Sequence, residues 1–111
     1  RAQEIAEVEQ AAGIRVAFGT DTGPAGRFQG FFEHLELELM VQSGLTPMQA
    51  LVAATGTAAA CWGKQGAIGT LARGAQADLI VLTKNPLDDI ANTRAIEAIY
   101  IGGRRFEAPA R

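Results

Sequence analysis

The residue of this sequence best placed for acid–base chemistry is Asp21. It follows Arg15–Phe18, which mixes small, β-branched and aromatic residues in the manner of a short buried strand. Gly19 ends that segment, so Asp21 lies where the predicted strand becomes a loop. Carboxylates at the C-terminal ends of parallel strands carry the chemistry of many α/β enzymes. If the protein is an enzyme, Asp21 is its first catalytic candidate. The structural alternative is a helix or turn cap in a loop rich in Thr and Gly, and the residues alone slightly favour it.

The loop after Asp21 offers a second candidate, Arg27. Residues 22–30 contain three Gly and one Pro, but neither a Gly-Lys-Ser/Thr motif nor a Gly-x-Gly-x-x-Gly motif, so phosphate binding is disfavoured. The Arg27 guanidinium could hold a substrate carboxylate, although a solvated loop arginine is an equal alternative. His34 is the single histidine; we interpret it as a packed or surface residue rather than a metal ligand and keep it as a weak substrate-binding candidate.

Composition indicates a globular chain. Of the 111 residues, 48% are hydrophobic and 20% charged, and the net charge of −2 argues against a nucleic-acid partner. A single cysteine, Cys61, excludes an intrachain disulfide, and we expect its side chain to be buried. No apolar run is long enough to span a membrane, and no signal peptide is visible. We expect a cytoplasmic protein, with export as the open alternative, because a signal peptide on an earlier N-terminal portion would not be seen in this sequence. Because the chain begins at Arg1 inside a predicted helix, we also expect a further N-terminal portion.

The sequence of the first half predicts helices that precede and follow one strand. The spacing of apolar residues predicts a helix over Ala2–Ala12. Helix propensity favours another over Phe31–Ser43, where periodicity alone is ambiguous. Thr46, followed by Pro and by Gln at the third position, predicts a capped helix that continues to Trp62.

The second half turns to β structure. Ala77–Thr83 is a continuous apolar run and predicts a strand. Leu87–Ile90 reads as a turn or short helical piece. Gly102-Gly103, between Ala95–Ile101 and Arg104–Glu107, predicts a β-hairpin. We place a boundary between the two halves near residues 63–71.

Several motifs occur in an order that is more specific than any one of them. They are Gly19-Thr20-Asp21, Glu36-Leu37-Glu38-Leu39, Gly44-Leu45-Thr46-Pro47, Ala50-Leu51 with Ala53-Ala54-Thr55, Gly74-Ala75-Gln76-Ala77-Asp78-Leu79, Asn85-Pro86-Leu87 and Gly102-Gly103. In this order they resemble the C-terminal end of the amidohydrolase superfamily. Within it, the chain most resembles the branch of imidazolonepropionase-like enzymes and metal-dependent Xaa-Pro dipeptidases.

This resemblance implies an α/β fold: the C-terminal fragment of a (β/α)8 barrel joined to part of a small β-sandwich. Residues 1–63 would hold the last barrel strand, Arg15–Thr20, and the closing helices. Residues 64–111 would be the C-terminal share of the sandwich. A fragment with unpaired strand edges is expected to self-associate.

The resemblance also implies a function, hydrolysis of C–N bonds in small substrates, which would be amides, dipeptides or other peptide-like molecules, or cyclic amides. The family residue equivalent to Asp21 contacts a divalent metal, zinc or another, with one or two ions per site. It takes a proton from the water that the metal activates and delivers that proton to the leaving group. The family's other ligands, His-x-His, a carboxylated Lys or Glu and two further His, lie on earlier strands that this sequence lacks. Because a catalytic zinc takes about three protein ligands, we expect this chain alone to be inactive and to bind no metal tightly.

The alternative from another class is a non-catalytic interaction or assembly module made of helices and a β-hairpin. The coding sequence upstream of Arg1 would separate the two hypotheses. Earlier strands with His-x-His would favour the hydrolase, and a native start near Arg1 would favour the module.

Overall fold

The structure, a computed structural model, describes residues 4, 8, 9 and 11–107. The predicted helix Ala2–Ala12 therefore lies largely outside the described residues. In the described part, helices occupy the first half of the chain and a three-stranded antiparallel sheet the second half. No helix in this part is long and apolar enough to cross a membrane.

Helix α1 spans Phe32–Gln42 and confirms the choice of helix over strand for this segment. Its residues Leu37 and Met40 are buried. The helix stops before Gly44, whose φ of +110° lies in the region that glycine enters without a side-chain clash. Glu33 stands in the first turn, where a negative charge is favourable beside the unpaired backbone N–H groups.

The second predicted helix forms with its cap but is not a uniform α-helix. The Thr46 hydroxyl accepts from the backbone N–H of Gln49, and the Gln49 side chain accepts from the Thr46 N–H, which completes the predicted capping box. Helix α2 (Pro47–Val52) is followed by a π-helical segment (Ala53–Thr57) and by α3 (Ala58–Cys61). Two contacts coincide with the π-helical segment: the Thr55 hydroxyl donates to the Leu51 carbonyl at 2.7 Å, and the Ala53 carbonyl accepts a bond from outside the helix.

That outside donor is the backbone N–H of Phe18, 3.1 Å from the Ala53 oxygen. Phe18 and Val16 also pack against the buried cluster of the helices. The segment predicted as a strand is therefore anchored, but residues 14–20 belong to no sheet in the described part of the chain. The predicted strand does not form in the described part of the chain, because a parallel strand takes its hydrogen bonds from neighbouring strands and the described residues supply none.

The sheet of the second half follows the sequence prediction closely. Strands β1 (Leu79–Leu82), β2 (Ile96–Ile101) and β3 (Arg104–Glu107) are paired in that order. The Gly102-Gly103 turn joins β2 to β3, with both glycines at positive φ, as a tight hairpin requires. A 3₁₀ helix (Ile90–Arg94) lies between β1 and β2, just after the predicted turn.

One small core connects the two halves. Its buried members are Leu37, Met40, Leu45, Ala50, Ala53 and Ile90. Ile90 comes from the 3₁₀ helix and the others from the helical half, so the two halves share this core. Large apolar side chains remain outside it: Trp62 is 81% exposed and Leu71 84% exposed. Cys61 is exposed, so the prediction that it is buried is wrong. It is the last residue of α3, and the buried residue of this short helix is Ala59, two positions earlier.

Candidate functional site

Asp21 lies in an unusual backbone conformation. Its φ is +52°, and it is the only non-glycine residue with positive φ in the described part of the chain. Such conformations cost roughly 1–3 kcal/mol and occur preferentially at functional sites, although Asp tolerates them better than most residues. The side chain is 90% exposed. In the described structure the carboxylate is therefore accessible from solvent, so a substrate could reach it.

Arg27 is the hydrogen-bond partner of Asp21. Its Nη1 lies 3.5 Å from Asp21 Oδ2 and 3.5 Å from the Asp21 backbone oxygen. The Arg27 side chain is half exposed, and exposed pairs of this kind contribute about 0–1 kcal/mol. The Asp21 carboxylate therefore faces a cation across the loop; it does not act as the turn cap considered above.

Arg27 also lines a shallow cleft of about 250 Å³. The other lining residues are Thr20, Phe32, Leu35, Glu36 and Leu39. Helix α1 contributes the apolar side chains and also the carboxylate of Glu36, whereas Thr20 and Arg27 come from the segment around Asp21. A guanidinium placed there suits a carboxylate-bearing ligand, and this role of Arg27 stays a prediction.

Glu33, which the sequence did not single out, contacts residues on both sides of Asp21 and at the end of the following loop. Its Oε1 accepts from the Thr22 hydroxyl at 2.8 Å and lies 3.5 Å from the Thr20 hydroxyl, while Oε2 accepts from the Gly30 N–H. The Thr22 hydrogen bond, the largest cause, lowers the pKa of the Glu33 carboxyl below its ordinary value of 4.5, and partial desolvation opposes that shift. A Glu at the third position after Gly30, opening a helix, was the signal available in the sequence.

The lowered pKa of Glu33 predicts a pH effect on stability. A depressed pKa means that the ionised carboxylate favours the folded state, so this contribution is complete above pH 4.5 and is lost as the pH falls through the lower folded-state value. Unfolding by urea, followed between pH 3 and pH 6, should show a loss of stability in the wild-type protein that is smaller in Glu33→Gln. Equal pH dependence of the two proteins would contradict this prediction.

His34 lies at the contact between α1 and the 3₁₀ helix. Its Nδ1 is 2.9 Å from the Thr93 hydroxyl, and the residue is half-buried. One turn further along α1, Glu38 pairs with Arg94 at 2.8 Å. The position of His34 agrees with its interpretation as a packed histidine, and its weak candidacy for substrate binding stays a prediction.

A metal centre is not complete within the residues that the structure describes. No group of three or more His, Cys, Asp or Glu side chains among them could hold a metal ion. Asp21 is a single exposed carboxylate beside a guanidinium, whereas a catalytic zinc takes about three protein ligands. The described residues therefore do not fit a metal on their own.

Comparison with known proteins identifies the class. The model of the amidohydrolase family matches residues 2–106, so the chain belongs to the amidohydrolase family, as its motifs predict. Among curated proteins it is similar to the ochratoxinase of Aspergillus niger, with 39% identity over 103 residues. That match covers 88% of this chain and 20% of the ochratoxinase.

Solved structures of this class resemble the chain in three dimensions. An Xaa-Pro dipeptidase with bound methionine in its active site superimposes with a TM-score of 0.81 and 27% identity, over 96% of this chain and 25% of the dipeptidase. The A. niger ochratoxinase structure gives a TM-score of 0.77 and 34% identity, over 96% and 25% of the two chains. The chain thus spans about a fifth to a quarter of the relatives that it matches.

Proposed function

We propose that this chain is the C-terminal part of a longer enzyme that hydrolyses amide bonds, with Asp21 as its acid–base residue. The observation that carries the proposal is Asp21 itself, a solvent-facing carboxylate in a left-handed conformation within a chain of the amidohydrolase family. The family assignment favours this hydrolase over the alternative of a non-catalytic module.

The chemistry assigned to Asp21 is proton transfer. As water attacks the amide carbon, an O–C bond forms and the Asp21 carboxylate accepts a proton from the water. When the C–N bond breaks, the protonated carboxyl returns that proton to the leaving nitrogen. One carboxylate can serve both steps, because the proton that it accepts from water in the first step is the proton that it donates to nitrogen in the second.

The metal and the barrel belong to the same proposal. Members of the amidohydrolase family generally use divalent metal ions, and we infer that Asp21 supplies one ligand while the others come from residues outside this chain. In the longer enzyme, residues 1–63 would close a (β/α)8 barrel and residues 64–111 would complete a β-sandwich. The unpaired segment 14–20 supports this arrangement, since it has backbone groups available for neighbouring strands.

The proposed substrates are small amides or dipeptides with a free carboxylate. The names of two relatives, an ochratoxinase and an Xaa-Pro dipeptidase, support this class. We assign the substrate carboxylate to Arg27, which lies beside Asp21 and lines the cleft along α1. A cytoplasmic location stays a prediction.

The test compares the 111-residue chain with the longer protein that contains it. Each is incubated with a panel of dipeptides and N-acyl amino acids, with and without added zinc, and zinc binding is followed by calorimetry. We expect the longer protein to hydrolyse amides, and the isolated chain to show neither hydrolysis nor submicromolar stoichiometric zinc binding. Tight zinc binding by the isolated chain would reveal a site that the described residues do not form.

The proposal also predicts self-association of the isolated chain. Both outer strands of the three-stranded sheet have an unpaired edge in the described part of the chain, and Phe28, Trp62 and Leu71 are each at least 70% exposed. Such edges and apolar side chains favour association with a second copy. Sedimentation velocity across a concentration series should show oligomers. A stable monomer at high concentration would count strongly against the assignment of this chain as a fragment.

A further inference from the structure

The two residues that flank Asp21 are held by one carboxylate on the next helix. The Thr22 hydroxyl donates to Glu33 Oε1 at 2.8 Å, and the Thr20 hydroxyl lies 3.5 Å from the same oxygen and 3.3 Å from the Thr22 hydroxyl. The other carboxylate oxygen, Oε2, accepts from the Gly30 N–H at the end of the loop. Both ends of the loop that follows Asp21 are therefore tied to the same side chain.

Backbone bonds hold the later part of this loop: the Arg27 N–H donates to the Pro24 carbonyl at 3.1 Å, and the Phe32 N–H donates to the Phe28 carbonyl at 3.3 Å, but neither bond involves residues 20–22. Gly19 and Gly23 lie on either side of the Thr20–Thr22 stretch, and glycine restricts the backbone least. The Arg27 contact to Asp21 is long and exposed, so it constrains the conformation weakly. The 2.8 Å bond from the Thr22 hydroxyl to Glu33 fixes the residue after Asp21, and the 3.5 Å contact of Thr20 with the same oxygen restrains the residue before it more weakly. The orientation of the Asp21 carboxylate depends on the two peptide planes between these residues.

Glu33 is itself a rigid anchor. It lies in the first turn of α1, and the same helix buries Leu37 and Met40 in the core. Its carboxylate is used on both oxygens, which restricts rotation of the side chain. Contacts therefore link the core, through α1 and the Glu33 side chain, to the residues on each side of Asp21.

We propose that Glu33 is a positioning residue for Asp21: through Thr20 and Thr22 it holds the Asp21 carboxylate in the orientation that proton transfer requires. This inference rests on the proposed function, in which Asp21 is the acid–base residue. Glu33 touches no reacting atom in this proposal. Its removal should therefore lower kcat and leave KM nearly unchanged.

The experiment measures kcat and KM in the longer enzyme with a dipeptide that it hydrolyses. We expect Glu33→Ala to lower kcat about ten- to a hundredfold, the scale of effect that a misplacement of about 1 Å can produce. Glu33→Gln keeps one oxygen that can accept from Thr22 and loses only the bond from the Gly30 N–H, so it should retain kcat within about fivefold. A loss of kcat in Glu33→Gln as large as that in Glu33→Ala would overturn the role of this hydrogen bond.

The partner hydroxyl gives a second, independent pair of variants. Thr22→Val removes the donor and should lower kcat as Glu33→Ala does, whereas Thr22→Ser keeps the hydroxyl and should restore it. The double variant Glu33→Ala/Thr22→Val should lose no more than Glu33→Ala alone, because Glu33→Ala already removes the bond that Thr22→Val breaks. If Glu33→Ala fails to fold, the comparison of Thr22→Val with Thr22→Ser tests the proposal instead. Equal kcat values in these two variants would overturn it.

A matched control separates positioning from helix stability. Glu38→Ala removes a carboxylate of the same helix that pairs with Arg94, away from the Asp21 loop. We expect this variant to lose stability without loss of kcat, while hydrogen exchange of residues 19–30 becomes faster in Glu33→Ala and not in Glu38→Ala. A fall in kcat in Glu38→Ala equal to that in Glu33→Ala would overturn the positioning role.

Failure of this inference is distinguishable from failure of the proposed function. If Asp21→Asn abolishes turnover while Glu33→Ala keeps kcat within about threefold, below the scale expected for misplacement, only the positioning role falls. If Asp21→Asn itself keeps the wild-type rate, the acid–base role of Asp21 is wrong, and the positioning role falls with it.

Discussion

Asp21→Asn in the longer enzyme is expected to lower kcat by about a hundred- to ten-thousandfold, the usual contribution of a positioned general acid–base group. An amide of the same shape cannot accept a proton from the attacking water or return one to the leaving nitrogen. The fold should survive, because Asn, like Asp, tolerates the left-handed conformation with φ of +52° at this position. The neighbouring Arg27 loses only an exposed ion pair.

The measurement must separate proton transfer from loss of metal. Metal content is therefore determined on the same samples as kcat, and rates are compared at equal metal content. His34→Asn is the control: its ring contacts Thr93 at the helix interface, so we expect little change in kcat. A fully metallated Asp21→Asn protein that turns over within a few-fold of wild type would show that Asp21 is not the acid–base residue.

The second large effect concerns stability. Gly69→Ala should lower the free energy of unfolding by about 2–5 kcal/mol, the sum of left-handed strain and overpacking. A Cβ at Gly69 would lie 2.5 Å from the Thr55 carbonyl oxygen, 2.9 Å from the Thr55 carbonyl carbon and 3.1 Å from the Ala59 Cβ. The nearest atoms belong to the backbone of the π-helical segment, which cannot move aside as a flexible side chain would. The segment around Gly69 would therefore have to move away from the backbone of the π-helical segment.

Gly66→Ala provides the matched control for this effect. Gly66 has a φ of +80°, close to the +70° of Gly69, but no atom lies within 4 Å of the place where its Cβ would be. Gly66→Ala should therefore lower the free energy of unfolding only by the strain of the left-handed backbone, roughly 1–2 kcal/mol. Urea unfolding at one fixed protein concentration keeps self-association from altering the comparison. Equal losses in the two variants would mean that the close approach of Gly69 to Thr55 contributes nothing.

Features set by neighbouring residues were predictable from the sequence. The capping box at Thr46 and Gln49 formed as predicted, since its hydrogen bonds join residues three apart. The hairpin formed around Gly102-Gly103, because two glycines accept the positive φ values of a tight turn. The ordered motifs predicted the amidohydrolase family, which the family match over residues 2–106 confirms. Asp21 was singled out by its place after an apolar segment, and its role stays a prediction.

Only the tertiary structure decided the features that depend on distant residues. Glu33 looked like an ordinary first-turn carboxylate until its contacts with Thr20 and Thr22, at least eleven positions earlier, were visible. Residues 14–20 have a strand-like composition, yet a strand needs a partner, and the described part of the chain provides none. Gly66 and Gly69 are equivalent in local sequence terms, but only Gly69 touches the backbone of the π-helical segment. Local propensity and capping are properties of a few adjacent residues, whereas contacts across the fold depend on how its elements pack, and that packing placed a carboxylate beside the Asp21 loop.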